Sequence, residues 1–104
     1  MTQMKTSSDE MKVAIIANGK PQSRRVASKL FNAFRDDPDF YLTKKNPDVV
    51  ISIGGDGMLL SAFHMYEKEL ARVRFVGIHT GHLGFYTDYL DIDVNLLIET
   101  LRKY

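Results

Sequence analysis

Three short apolar runs, separated by segments with helical periodicity, constrain the fold of this chain more than any other feature. The runs are MKVAIIAN at 11–18, DVVISI at 48–53 and VRFVGI at 73–78. Their richness in β-branched residues, clearest in the second run, predicts buried strands, and the second run is predicted to be buried on both faces. Strands that alternate with helices form a parallel sheet with helices packed on it. The sequence therefore predicts an α/β domain with a parallel sheet between two helical layers.

Between and after these runs, apolar residues recur at the spacing of an amphipathic helix. Helices are predicted over 23–34 and over 58–70, and a last helix begins at Asp91 or Asp93. A short edge strand is expected at 40–42, where the pattern is less regular. The order of elements is strand, helix, strand, helix, strand, loop and helix.

Charge and composition exclude several classes of protein. The formal net charge is +1 over 104 residues, which argues against a nucleic-acid or membrane-surface partner. The absence of cysteine excludes disulfides and thiolate metal sites. No run approaches the ~20 apolar residues that span a bilayer, and the polar start is no signal peptide. We expect a flexible leader over 1–11, a single domain over 12–104 and a cytoplasmic location.

The stretch SIGGDG at 52–57 joins a strand to a helix through three glycines and one aspartate. Glycines let a ligand approach the backbone, and the free amides of the helix start attract phosphate. The turn is not a Walker A loop, because no Lys-Ser/Thr pair follows it. It is not the dinucleotide fingerprint either, because Leu60 stands where the third glycine is required. A phosphate-binding turn of another kind is predicted.

Asp56 is the unusual residue of this turn, because a carboxylate repels phosphate. Two interpretations remain open on the residues alone. The carboxylate either caps the following helix, or it binds Mg²⁺ or orients and deprotonates an attacking hydroxyl.

Three loops, at 18–23, 54–57 and 79–89, follow the carboxyl ends of the predicted strands. In a parallel sheet these ends meet at one edge, where ligands bind. Substrate contacts are therefore expected from these loops.

Other polar residues near this edge have simpler explanations. Lys20, Arg24 and Arg25 are able to meet nucleotide phosphates, but a solvated helix start is favoured. His79 and His82 have a metal-like spacing without a third ligand, so a hydrogen-bonding role in the loop is favoured over zinc.

The turn resembles a motif shared by NAD kinases, diacylglycerol-type lipid kinases and 6-phosphofructokinases. The segment GIHTGHLGF at 77–85 distinguishes among them, because it resembles the Gly-Leu-Gly-Phe segment of NAD kinases. With PDVVISIGGDG and LLSAFH, the resemblance runs from about Lys12 to the last residue and is closest to the compact bacterial enzymes. It implies a Rossmann-like domain of the NAD kinase and diacylglycerol kinase type, without the C-terminal all-β domain of the family.

The resemblance also implies roles for individual residues. Asp56 is expected to activate the adenosine-ribose 2′-hydroxyl of NAD for attack on the γ-phosphate of ATP, with Mg²⁺ or another divalent cation. Gly57 is expected to lie against the bound NAD. Leu60, Phe85 and Tyr86 are expected to form an apolar wall around the adenine, although periodicity alone favours a core position for Leu60.

The chain departs from the family pattern in two ways. Met58 stands where the family commonly has threonine, which removes a hydroxyl contact at the helix start. The all-β domain that helps to hold NAD is missing, so the 104-residue piece alone is expected to be inactive. The resemblance suggests a homodimer or homotetramer. The alternatives are a lipid or sugar-phosphate kinase with the same turn, and a nucleotide-binding module without turnover.

Overall fold

A computed structural model describes residues 10–80 and 94–103, which contain a four-stranded parallel sheet. The strands are β1 (Met11–Ala17), β2 (Phe40–Leu42), β3 (Val49–Gly54) and β4 (Arg74–His79). The helices are α1 (Pro21–Arg35), α2 (Asp56–Met65) and α3 (Val94–Arg102), and a short 3-10 helix (Glu67–Glu69) follows α2. The order across the sheet is β2-β1-β3-β4. The predicted α/β class and the short edge strand are both confirmed.

The two faces of the sheet carry separate apolar cores, as expected for three layers. Along β3, Val49, Ile51 and Ile53 belong to the core that α1 and α3 cover, whereas Val50 belongs to the core beneath α2. Successive side chains of a strand point to opposite faces, and every residue of β3 is buried. The continuous apolar run of β3 therefore reflects its central position, with helices on both sides.

The prediction that the third run is a buried strand is wrong. In β4, Arg74, Gly77 and His79 are exposed, and Phe75, Val76 and Ile78 are only partly buried. The reason is position, because β4 is the outermost strand of the described sheet and pairs only with β3 there. An apolar run does not distinguish a central strand from one at an edge.

The second helix is shorter than predicted, ending at Met65 rather than Leu70. Tyr66 ends it with φ −120° and ψ 32°, and its ring is buried beneath the sheet. The Tyr66 hydroxyl donates to the carbonyl oxygen of Lys44 at 2.9 Å. Burial raises the pKa of Tyr66, with a smaller contribution from the Glu69 charge, so the hydroxyl remains a donor well above neutral pH.

The last helix buries Ile98 and Leu101 against the core beneath α1, as its periodicity predicts. Its predicted capping residues, Asp91 and Asp93, lie outside the described residues, as do residues 1–9 of the predicted leader. Within the described parts of the chain, no helix is long and apolar enough to cross a membrane.

The far end of α3 is fastened to the turn that precedes β2. Arg102 forms ion pairs with both Asp37 and Asp39, and its guanidinium lies 5.4 Å from the centroid of the Phe40 ring. Arg102, Asp37 and Asp39 line a cavity of about 550 Å³ at the amino edge of the sheet, opposite the glycine turn. The carboxylates of Asp37 and Asp39 are already paired with the Arg102 guanidinium. We therefore interpret this cavity as a feature of how α3 packs rather than as a ligand site.

Candidate active site

The ends of β1, β3 and β4 are tied together at the carboxyl edge of the sheet. The Asn18 amide donates to the carbonyl oxygen of Ile53 at 3.0 Å, and the Thr80 amide donates to that of Gly54 at 2.8 Å. The strand ends are therefore held in a fixed relation, and the start of the third loop lies beside the glycine turn. This arrangement agrees with the prediction that the loops after these strands meet at one edge.

Gly54 is the glycine that the fold itself requires. Its φ is +153°, and a Cβ there would lie 2.7 Å from Nδ2 of Asn18. That amide is fixed, because Asn18 Oδ1 accepts a hydrogen bond from the Lys20 amide at 3.1 Å. Side chains are thus excluded at Gly54 both by backbone conformation and by space.

The next two glycines leave the start of α2 open. Gly55 occupies the N-cap position in an extended conformation, so no side chain of its own caps the helix. Its carbonyl oxygen accepts from the amides of Met58 and Leu59 at 3.1 and 3.2 Å. A Cβ added at Gly55 or Gly57 would meet no atom within 4 Å. The packing of the described residues therefore does not require glycine at either position, and the backbone is accessible to a ligand.

Asp56 is the first residue of α2, and its side chain is 90% exposed. Because Gly55 holds the N-cap position, the capping interpretation of Asp56 loses its support. A carboxylate in the first turn is still favoured by the helix dipole. Its Oδ1 lies 3.7 Å from Nε2 of His79 at the end of β4. The carboxylate therefore faces the open edge of the sheet with an imidazole beside it.

Leu60 lies in the open rather than in the core, so the expectation from periodicity is wrong. Its exposed fraction is 57%, because Met58, Leu59 and Ala62 take the positions that face the sheet. Leu60 follows Asp56 by four residues, which places both on one face of the helix. Phe85 and Tyr86, predicted to complete an apolar wall with Leu60, lie outside the described residues.

The basic residues near this edge are solvent-exposed. Lys20, Arg24 and Arg25 all lie on the surface around the start of α1, as the interpretation of a solvated helix start predicts. His82 lies outside the described residues.

Two pairings at this edge are not recognisable from the residues alone. One joins His79 to Asp56, and its signal is the register that places His79 opposite Gly54 on neighbouring strands. The other joins Ser23 Oγ and Thr80 Oγ1, 2.6 Å apart and both buried, which links the first turn of α1 to the end of β4. A serine in a helical pattern gives no hint of a partner 57 residues away.

Sequence comparisons identify the family. The model of the ATP-NAD kinase N-terminal domain matches residues 39–104. The chain belongs to the NAD kinase family. Over 103 residues it is 95% identical to an NAD kinase of Streptococcus thermophilus (strain CNRZ 1066) and 77% identical to one of Streptococcus pyogenes serotype M1. Each match covers 99% of this chain but 37% of the relative. The chain thus spans little more than a third of the length of these NAD kinases.

Proposed function

We propose that this chain supplies the domain of an NAD kinase that carries the reacting carboxylate. The observation that supports this most directly is Asp56, which is exposed at the start of a helix beside backbone that is open at Gly55 and Gly57. This geometry, in a chain of the NAD kinase family, suits phosphoryl transfer, in which positioning and electrostatics supply most of the catalysis.

In the proposed reaction, the 2′-hydroxyl oxygen of the adenosine ribose of NAD attacks the γ-phosphorus of ATP. A new O–P bond forms, the bond between the γ-phosphorus and the bridging oxygen breaks, and ADP leaves. Asp56 accepts the hydroxyl proton as general base. The products are NADP and ADP.

The glycines and Leu60 are proposed to bind the NAD. A nucleotide is able to lie directly against the backbone of Gly57, where a side chain would intervene. Leu60 offers an apolar surface on the same helix face as Asp56, and Phe85 and Tyr86 are proposed to complete the adenine site.

A divalent cation, Mg²⁺ in the first instance, is proposed to accompany ATP. Mg²⁺ that accompanies a nucleotide is commonly held by substrate phosphates and water, with one or two carboxylates. When bound, the cation neutralises charge on the phosphates. Asp56 is assigned to the hydroxyl proton rather than to the metal.

Activity is proposed for the complete protein, with the 104-residue chain inactive by itself and the whole assembling as a homodimer or homotetramer. The test is to incubate the full-length protein with ATP and Mg²⁺ and, separately, NAD, diacylglycerol and fructose 6-phosphate. NADP should form, and neither of the other acceptors should be phosphorylated. Phosphorylation of the lipid or the sugar phosphate without NADP would replace this proposal with the corresponding kinase. Calorimetric binding of NAD without any turnover would indicate a binding module.

A further inference from the structure

We propose that His79 is a positioning residue for Asp56, donating a hydrogen bond from Nε2 to Oδ1 and leaving Oδ2 for the acceptor hydroxyl. This inference rests on the proposed function, because it assigns how the reacting carboxylate is oriented. In the structure, the two atoms are 3.7 Å apart. Hydrogen bonds between catalytic groups are often long without substrate and shorten in the reactive complex.

The sheet places the imidazole beside the carboxylate. His79 is the last residue of β4 and is paired in register with Gly54 at the end of β3. The Thr80 amide continues the connection by donating to the Gly54 carbonyl oxygen at 2.8 Å. The backbone that carries His79 is therefore fixed to the backbone that leads, two residues later, to Asp56.

The alternation of β4 directs the imidazole to the correct face. Phe75 belongs to the core beneath α2, and side chains two residues apart share a face. Gly77 lies between Phe75 and His79 on this face. A Cβ added at Gly77 would lie 3.7 Å from Cδ2 of Leu59 in α2. This close approach brings the first turn of α2 over the end of β4.

Within residues 10–80 and 94–103, His79 is the side chain that lies beside the Asp56 carboxylate, and a base needs such an orienting partner. At 90% exposure, its two oxygens are free to rotate in solvent, and a base is effective only when one oxygen faces the proton that it removes. A donor on Oδ1 selects such an orientation. In the step itself the proton of the 2′-hydroxyl moves to Oδ2 as the O–P bond forms and ADP leaves, and His79 gains and loses no proton.

The first test uses two substitutions at His79 in the full-length protein. His79→Leu removes the donor at similar volume, and kcat should fall about tenfold, which corresponds to roughly 1.4 kcal/mol, while KM for NAD and for ATP stays within about twofold. His79→Gln keeps an N–H donor close to the place of Nε2 and should restore most of kcat. The matched control is His64→Leu, near the other end of α2. The His64 side chain is 81% exposed, and its Nδ1 lies 4.0 Å from Oε1 of Glu67. It should leave kcat and KM unchanged.

The second test does not depend on turnover. The ¹⁵N resonances of the His79 imidazole should show the proton on Nε2 in the full-length protein. The Nε2 resonance should move towards its position in a free imidazole in Asp56→Ala, because the acceptor Oδ1 is lost, and an Nε2 resonance that does not move overturns the proposal. A proton held on Nδ1 in the unchanged protein overturns the proposal. So does an unchanged kcat in His79→Leu, or a His79→Gln variant as impaired as His79→Leu. If the unchanged protein forms no NADP, the proposed function fails, whereas the resonances still decide whether the two side chains are paired.

Discussion

Two glycines of the same turn are predicted to respond to alanine in opposite ways. At Gly57, in the first turn of α2, a Cβ would meet nothing within 4 Å. Replacing a helical glycine by alanine gains about 0.5–1 kcal/mol where the conformation allows it. At Gly54, the φ of +153° disfavours any residue with a side chain, and an added Cβ would lie 2.7 Å from Nδ2 of the Asn18 side chain. Backbone strain of this kind alone costs on the order of 1–3 kcal/mol.

The magnitudes follow for the full-length protein. Each kcal/mol of stability shifts Tm by about 2–4 °C in a protein of this size. Gly57→Ala should therefore raise Tm, and Gly54→Ala should lower Tm by more degrees than Gly57→Ala raises it. The NAD affinity of Gly57→Ala should nevertheless fall at least about tenfold, because a methyl group would stand where the nucleotide is proposed to approach the backbone. Thermal unfolding without ligand gives the first pair of values, and calorimetric titration with NAD gives the affinity.

If the alanine variant is more stable but binds NAD more weakly, the glycine is required for ligand binding rather than for folding. If Gly57→Ala binds NAD as well as the unchanged protein, the assignment of Gly57 to the substrate is wrong. If Gly57→Ala instead unfolds more easily, the space above the first turn of α2 is not free, and the reasoning from the described residues fails at its first step.

Three further changes test the site and its support. Asp56→Asn should reduce turnover by about 10²–10⁴-fold, as expected for a general base, with NAD affinity largely kept, and near-normal turnover would refute the role of the carboxylate. Ser23→Ala should destabilise the protein by about 1–3 kcal/mol in chemical denaturation because it strands the buried Thr80 hydroxyl. Adding Thr80→Val should recover part of that loss, and purely additive losses would argue against the pairing. Tyr66→Phe should cost about 1 kcal/mol through the lost bond to the Lys44 carbonyl oxygen. The raised pKa of Tyr66 means that its contribution is complete below the ordinary tyrosine value of about 10 and is lost as pH rises through the folded value. The difference between the unchanged protein and Tyr66→Phe should therefore be constant at neutral pH and shrink only in strong alkali.

The parts of the fold that depend on local pattern were predictable from the sequence. The spacing of Val26, Leu30 and Phe34 specifies a buried helix face, and the structure buries all three. The run at 48–53 specifies a strand inside a layered sheet. The position of a strand within the sheet was not predictable, because the apolar run of β4 would look the same in a central strand and in an edge strand.

The candidate site divides in the same way. The three glycines and Asp56 stand together in the sequence, so an anion-binding turn with a carboxylate follows from local chemistry. The neighbours of that carboxylate depend on register across strands, which no local pattern encodes. His79 therefore becomes recognisable as a partner of Asp56 only when Gly54 is seen opposite it.

That register is set at the end of the sheet that lies farthest from the glycine turn. The ladder between β3 and β4 begins where the Arg74 amide donates to the carbonyl oxygen of Asp48 at 3.0 Å. Slipping a parallel strand by one residue moves it about 3.3 Å and reverses the faces of all its side chains. A slip of β4 by one residue would thus point the imidazole of His79 to the α1 side of the sheet. The alignment of carboxylate and imidazole therefore depends on strand pairing along the whole of β4, from Arg74 at one end to the Thr80 amide at the other.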